Sequence, residues 1–360
     1  MDRRIFLKSS AVAAAAAALP WRATLAAEGW RTFEAVTRVE VLNPSGKTLA
    51  WVPLPLAESS DWFRDLNSSW SGNASEAGIE RDGKYGARML AAEWRPGQST
   101  PVVEVTSRFM TRDRAVDLSR PANPALKLAA AERAFHTAPT ELIPTDGIVR
   151  KTALEVTRGA STDVHKARAI YEWVVENTYR DPKTRGCGWG DVKSMLESGN
   201  LGGKCGDLNA MFVGLARAAG VPARDVYGVR VAPSKFGYKS LGAGTANISK
   251  AQHCRAEFFA AGYGWVPVDP ADVRKVILEE PPGKLAIDDP KVVAARRRLF
   301  GSWEMNWLAY NTGHDIALPG SSGPKLPYLM YVNAETGGER RDQLEPDTVR
   351  YGITARELTA

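Results

Sequence analysis

The stretch that most limits how this chain can fold is LGGKCGDLNAMFVGLARAAGVP, residues 201–222. Its apolar side chains recur at helical spacing, and Gly220 followed by Pro222 is typical of a helix end. A helix with so large an apolar face needs other elements packed around it. The sequence therefore predicts a central buried helix that begins near Cys205. The residues of its apolar face are Leu208, Met211, Phe212, Leu215 and Ala219.

The region before this helix has the alternating pattern of β-strands. FEAVTRV and KTLAWVPLP alternate between apolar and polar side chains, and the turn signal NPSG separates them. We therefore expect a β-sandwich-like N-terminal domain at residues 28–120. Residues 121–145 contain several prolines around one short helical segment, and this pattern predicts a connector.

Residues 146–275 are predicted to form an α+β core. Helical spacing begins after Asp146, and STDVHKARAIYEWVVENTY has an apolar helical face with Ser161 or Thr162 as its N-cap. Strand-like segments such as DVYGVRV and CRAEFF follow the central helix, so helices should pack on an antiparallel sheet. Residues 276–360 carry loop signals and an aromatic patch, WEMNWLAYN, and are expected to form a C-terminal extension packed on the core.

Residues 1–27 have the pattern of an export signal. The pair Arg3 and Arg4, followed by FLK, resembles a twin-arginine signal, and an alanine-rich run with small residues then suits cleavage near residue 26 or 27. The run is shorter than the roughly 20 residues of a membrane span, so we expect a periplasmic or secreted protein with no stable span after cleavage. Removing the signal lowers the formal net charge from +6 to +3. With no arginine-rich helix or RNA-binding signature in the sequence, we expect no nucleic-acid partner.

The position of Cys205 favours a reactive thiol. Backbone N–H groups in the first turn of a helix lack intrahelical acceptors, and the positive end of the helix dipole stabilises a thiolate. Gly202 and Gly203 allow a substrate to approach the backbone closely, and the N–H of Cys205 is a candidate donor to an oxyanion. The alternative is a structural cysteine that acts as a small buried hydrophobic residue.

A second segment, QHCRAEFFAAGYGWVPVDP, supplies candidate partners for the thiol. It is predicted to form a hairpin with its turn in AAGYG. Pairing centred near Ala261 would place His253 directly opposite Asp269 on one face. An aspartate could then hold one ring nitrogen while the other faces the thiol, which is the arrangement of cysteine acyl-transfer enzymes. A slip of one residue would break this geometry.

The three motifs together resemble the transglutaminase-like superfamily of exported bacterial proteins. They are GGKCGDLNAMFVGLARAAGVPAR, AQHCRAEFF and GYGWVPVDP, in the order Cys, His, Asp. The resemblance implies a papain-like α+β fold in which the helix that carries Cys205 packs on the sheet that carries His253 and Asp269. It also implies thiolate attack on an amide carbonyl, followed by hydrolysis or transamidation of the thioester. His253 would act as general base and then acid, and Asp269 would orient it.

The expected substrate is a protein or peptide amide, a cell-wall peptide being one option. No cofactor and no metal are expected. Calcium is not indicated, because the sequence contains no acidic loop with calcium-binding spacing, and a zinc site formed by Cys187, Cys205 and His253 would be unusual. The competing function is a non-catalytic periplasmic binding or assembly module that keeps the same fold.

Two aromatic residues are further candidates for the site. Trp189, in GCGWGD, could assist an oxyanion hole or line the acyl channel, and the alternative is a buried packing role. Tyr238, in KFGYKSLGAG, lies in a glycine-containing segment that could cover the site, and the alternative is a plain surface loop.

The cysteine count leaves the redox state open. An odd number of cysteines in an exported protein leaves at least one thiol unpaired or reactive. A Cys187–Cys254 disulfide would leave Cys205 free, whereas a Cys187–Cys205 disulfide would form a redox latch. The third possibility is that Cys187 and Cys254 both stay reduced.

Overall fold

The computed structural model describes residues 29–98 and 100–358. The export signal predicted over residues 1–27 lies outside the described residues. None of the helices in these two ranges is long and apolar enough to cross a membrane.

The N-terminal region is built from antiparallel strands, as the alternating sequence predicts. One sheet contains β1, β6 and β3, and a second contains β2, β5 and β4. Side chains from both sheets, among them Val39, Trp94 and Val105, are buried in one shared core. This packing gives the β-rich N-terminal region that the sequence indicates. The strands are β1 (Arg31–Val41), β2 (Thr48–Pro53), β3 (Phe63–Gly72), β4 (Glu76–Arg81), β5 (Arg88–Trp94), β6 (Val102–Thr111) and the short β7 (Arg114–Ala115).

A helical layer follows the sandwich. Thr162 caps its third helix by accepting the N–H of His165, and the apolar face beyond it is buried as predicted. Every residue of the fifth helix is buried, so the cysteine helix is central. The helices before the core sheet are α1 (Ala130–Thr137), α2 (Gly147–Val156), α3 (Asp163–Asn177), α4 (Val192–Ser198) and α5 (Cys205–Ala218), and a parallel pair, β8 (Tyr179–Arg180) and β9 (Gly202–Gly203), lies between α3 and α5.

The core sheet has the strand order β12-β11-β10-β14. Helix α5 packs on one face of it, and side chains such as Phe33 and Phe109 of the sandwich pack on the other with Val229 and Trp307. The sheet is therefore held between the helices and the N-terminal strands. The elements from here on are β10 (Ala223–Arg230), β11 (Gln252–Ala260), β12 (Gly264–Val268), α6 (Pro270–Glu279), α7 (Pro290–Arg298), β13 (Ser302–Trp303), β14 (Trp307–Asn311), β15 (Asn333–Thr336), β16 (Glu339–Arg340) and β17 (Val349–Leu358).

The register of the β11–β12 hairpin differs from the prediction. Ala260 pairs with Gly264, so the turn is centred on Gly262, and His253 does not lie directly opposite Asp269. Gly262 and Gly264 both have positive φ, which only glycine adopts easily, and these two residues set the turn one position later than expected. The predicted register is wrong by two residues. Because side chains alternate between the two faces of a strand, a register shift of two residues leaves His253 and Asp269 on the same face of the sheet.

The C-terminal segment joins both halves of the molecule. Strand β14 completes the core sheet, while β15 pairs with β2 and β17 pairs with β1 along its full length. The expectation of an extension packed on the core did not foresee these strand additions. The segment VRYGITAREL of β17 has alternating burial, and its pairing with β1 satisfies backbone groups that an open sheet edge would expose.

Candidate active site

Cys205 is the first residue of α5, as predicted, and only 4% of its surface is exposed. The N–H of Gly206 donates to the carbonyl oxygen of Cys187 at 2.7 Å. A Cβ at Gly206 would lie 2.6 Å from that same oxygen, so only glycine permits this contact. The loop that carries Cys187 therefore lies directly against the start of α5.

Asp207 fastens this loop to the helix. Its carboxylate accepts the backbone N–H groups of Trp189, Gly190 and Lys204, each at 3.0 Å. Burial raises the pKa of Asp207, although these three donors oppose the shift. Asp207 therefore positions the loop and caps the helix.

Replacing Asp207 with asparagine is expected to lower the free energy of unfolding by about 1–3 kcal/mol. An amide group cannot accept three N–H donors from these directions, because one of its two polar atoms is itself a donor. Urea denaturation measures the loss, and Glu197→Gln on the exposed face of α4 is the matched control, expected within about 0.5 kcal/mol of wild type. Equal stability of the two variants would contradict the proposed role of Asp207.

His253 and Asp269 are brought together despite the shifted register. The Nε2 atom of His253 lies 2.7 Å from Oδ2 of Asp269. Asp269 is the N-cap of α6, where its other oxygen accepts the N–H of Asp272 at 3.0 Å. Two further donors fix the pair: Asn209 donates to Asp269 at 3.3 Å, and the indole N–H of Trp307 donates to the carbonyl oxygen of His253 at 2.9 Å.

His253 lies beside Cys205 on the same cavity wall, and its interaction with the thiol lowers the pKa of Cys205. Because Nε2 is held by Asp269, Nδ1 is the ring nitrogen left for the thiol. The structure therefore joins the three residues singled out in the sequence into one chain of contacts, from Cys205 through His253 to Asp269.

The surroundings of Cys205 favour its thiolate. The neighbouring thiols of Cys187 and Cys254, together with His253, hold the pKa of Cys205 well below its usual range, although burial opposes the shift. Burial and the charge of Arg230 lower the pKa of His253, but nearby carboxylates outweigh both and leave it above 6.5. A thiolate paired with an imidazolium is the arrangement that these shifts favour.

A buried ion pair lies behind the histidine. Arg230 donates to both oxygens of Asp272, at 2.6 and 2.8 Å, and Asp272 lies 3.5 Å from Nε2 of His253. Burial would raise the pKa of Asp272, but Arg230 holds it below its usual range. His253, Asp269 and Asp272 offer ligand atoms within 4.8 Å of one another, so they could hold a metal ion. Their mutual contacts and Arg230 already occupy these atoms.

All three cysteines are free thiols and meet in one buried cluster. The contact with Cys205, reinforced by burial, raises the pKa of Cys187, and burial raises the pKa of Cys254. These two thiols therefore stay protonated beside the sulfur of Cys205, and the Cys187 thiol donates to the carbonyl oxygen of Gln252 at 3.5 Å. Of the redox states left open by the sequence, the structure has the fully reduced one.

The two aromatic candidates have different positions. Trp189 is 68% exposed and lines a cavity of about 320 Å³ beside Cys187, so it is not a buried packing residue. Tyr238 is buried in the helical core, where its hydroxyl donates to the carbonyl oxygen of Lys291 at 3.0 Å. Tyr238 itself therefore packs in the core, whereas Gly242, Ala243 and Gly244 of the same segment lie on the wall of the cavity that contains Cys205.

Cys205 and His253 lie on the wall of a larger cavity of about 720 Å³. Four further residues support the site without having been predicted from the sequence: Asn209, Arg230, Asp272 and Trp307. Asn209 had a detectable signal, since it is a polar residue one turn after Cys205 on an otherwise apolar helix face. Nothing in the sequence indicated the contact that Trp307 makes with His253, because the strand that carries Trp307 comes from the C-terminal segment.

A cysteine at the start of a buried helix, packed on an antiparallel sheet, is the architecture of a cysteine-enzyme fold. The family model of the transglutaminase-like superfamily matches residues 150–270. An uncharacterized protein of Haemophilus influenzae is 36% identical over 328 residues, which cover 87% of each chain. The chain belongs to the transglutaminase-like superfamily, as its motifs predict.

One solved structure shares the fold of this chain. A protein of Cytophaga hutchinsonii described as a candidate cysteine protease aligns over 92% of both chains, with 14% identity and a TM-score of 0.57. The periplasmic domain of TgpA from Pseudomonas aeruginosa aligns over 71% of this chain and 91% of that chain, with 16% identity and a TM-score of 0.33. The alignment with the Cytophaga hutchinsonii protein confirms the α+β fold of this chain. At this level of identity it concerns the fold alone.

Proposed function

We propose that this protein is an exported cysteine enzyme that acts on peptide amides through a thioester, with hydrolysis as its main reaction. The observation that carries the proposal is the contact chain Cys205–His253–Asp269 on the wall of a cavity of about 720 Å³. The catalytic roles and the export are parts of this proposal. Peptides and small proteins with an accessible amide are the substrates that such a cavity admits.

The proposed reaction has two halves. The thiolate of Cys205 attacks the amide carbonyl, the carbonyl oxygen becomes negative, and the backbone N–H of Cys205 is placed to donate to it. The imidazolium of His253 then protonates the leaving nitrogen as the C–N bond breaks, which leaves a thioester. In the second half His253 takes a proton from water, the new C–O bond forms, and the C–S bond breaks.

Asp269 has a supporting role in both halves. Its hydrogen bond to Nε2 fixes the ring so that Nδ1 faces the sulfur, and its charge stabilises the imidazolium. Asn209 and the N–H of Asp272 hold the other carboxylate oxygen, so the aspartate itself cannot rotate freely. Asp269 is therefore proposed as the residue that orients the base.

The test is the rate at which iodoacetamide alkylates Cys205 as a function of pH, read at this cysteine by peptide mass spectrometry. Wild type is expected to react through a group with a pKa well below the roughly 8.5 of a free thiol, because the thiolate is stabilised. His253→Ala is expected to move that pKa toward 8.5 and to slow labelling at pH 6 by about tenfold or more. His165→Ala, which removes an exposed histidine on α3, is the control and should match wild type.

An unshifted thiol that is indifferent to His253 would overturn the proposal. In that case the binding-module function would replace it, because a non-catalytic module has no use for an activated thiol.

A further inference from the structure

The cavity that contains Cys205 and His253 has an unusual charge. Seven of the described residues on its wall carry cationic side chains, and none of the described wall residues is an aspartate or glutamate. Cavity walls of one charge sign focus the electrostatic field and concentrate ligands of the opposite sign. The cavity is therefore suited to an anionic ligand.

Five of these cations have partners behind the wall. Each forms an ion pair with a carboxylate that does not itself line the cavity, so their charges are partly compensated. The pairs are Arg230–Asp272, Arg180–Glu279, Lys275–Glu279, Arg185–Asp342 and Arg350–Glu40.

The other two cations, Lys204 and Lys250, have no carboxylate partner within residues 29–98 and 100–358. Lys204 is half-buried and directly precedes Cys205 at the start of α5. Lys250 is exposed and lies three residues before His253, at the entry to β11. One unpaired lysine therefore accompanies each of the two reacting residues, on two different elements of the wall.

We propose that the acyl donor is an anionic peptide whose carboxylates, close to the amide that Cys205 attacks, are bound by Lys204 and Lys250. This inference rests on the proposed function, since it names the substrate class of the same site. A carboxylate on the substrate supplies the counter-charge that these two lysines lack among the described residues. Neutral and cationic peptides lack this contribution, and the cavity selects against them.

The test compares two alkylating reagents that differ in charge, iodoacetate and its neutral counterpart iodoacetamide. The measured quantity is the ratio of their rates at Cys205, divided by the same ratio for N-acetylcysteine. We expect this selectivity to be about tenfold in favour of iodoacetate at low salt. It should fall toward one in 1 M NaCl, where the screening length is about 3 Å.

The lysine variants locate the effect. Lys204→Gln and Lys250→Gln are each expected to lower the selectivity about threefold, and the double variant should bring it close to that of the free thiol. Lys151→Gln is the matched control, because it removes the same charge from an exposed position on α2 away from the cavity. It should leave the selectivity unchanged, and equal melting temperatures of all variants would show that they are folded.

Protection by a peptide extends the test from small reagents to the proposed substrate class. Hexaglutamate is expected to slow the reaction of Cys205 with iodoacetamide, whereas hexaglutamine at the same concentration is not. Lys204→Gln should weaken the protection by hexaglutamate. Equal protection by the two peptides, or none from either, would overturn the inference.

The failures of the two proposals are distinguishable. If the pKa of Cys205 depends on His253 but iodoacetate has no advantage over iodoacetamide, the proposed anionic substrate is wrong. The proposal of a cysteine enzyme is then unaffected. Selectivity that depends on the lysines, with a thiol indifferent to His253, would overturn the proposed function and with it the assignment of the anion as a substrate.

Discussion

Replacing Cys205 with serine is expected to lower amide cleavage by a factor of about 10³ or more. The hydroxyl of serine is far more basic than a thiol, so His253 cannot hold it as an anion, and the environment that stabilises a thiolate no longer helps. Cleavage is measured as new termini in a mixture of tryptic peptides, read by mass spectrometry. The thioester adduct on residue 205 should disappear in the same samples.

The neighbouring thiol is the control for this variant. Cys187→Ser keeps a donor beside the sulfur of Cys205, so we expect cleavage within about tenfold of wild type. Cys187→Ala removes the polar group and should raise the pKa of Cys205, because Cys187 is the largest influence that lowers this pKa. If Cys187→Ser abolishes cleavage as completely as Cys205→Ser, the two thiols act as a pair. Thiol–disulfide exchange would then replace acyl transfer as the proposed chemistry.

Local sequence patterns were sufficient for the parts of the site that depend on neighbouring residues. The start of α5 at Cys205 follows from helical spacing and the glycines before it, and the cap at Thr162 follows from its side chain. The hairpin register was missed because two glycines, at 262 and 264, both favour a turn and the sequence does not say which one is central. The contact between His253 and Asp269 survives because the error of two residues preserves the face.

Contacts between distant segments could not be read from the sequence. Cys187 and Cys205 meet because a loop, held by Asp207, folds back on the helix, and no periodicity encodes that approach. Trp307 reaches His253 because β14 adds to β10, a choice of strand partner that depends on the whole sheet. The matched family region ends at residue 270, so part of the support for the candidate base comes from beyond it.

Removing the charge of Arg230 is expected to destabilise the fold strongly. In Arg230→Met, Asp272 stays buried beside His253 and loses both of its hydrogen bonds from the guanidinium. Breaking a buried pair from one side costs about 3–5 kcal/mol, and we expect a loss of that size in the free energy of unfolding at pH 7. Urea denaturation at several pH values measures it.

The pH dependence of this loss has a definite sign. In wild type the pKa of Asp272 is lowered, so the pair stabilises the fold above the carboxyl's ordinary pKa of about 3.9, and this contribution is lost as pH falls through the lower folded value. In Arg230→Met the largest influence that lowers the pKa of Asp272 is lost, and we expect burial to raise that pKa against the smaller effects of His253 and Lys275. The folded state then binds the extra proton, so the deficit should be smaller at pH 5 than at pH 7.

Two further variants separate this explanation from a general loss of packing. Arg230→Met combined with Asp272→Asn leaves no buried charge, so it should recover at least half of the loss. Arg38→Met breaks a partly exposed pair with Glu40 and should cost less than about 1 kcal/mol. A deficit that is independent of pH and is not relieved by Asp272→Asn would mean that the methylene groups of Arg230, rather than its charge, support the candidate active site.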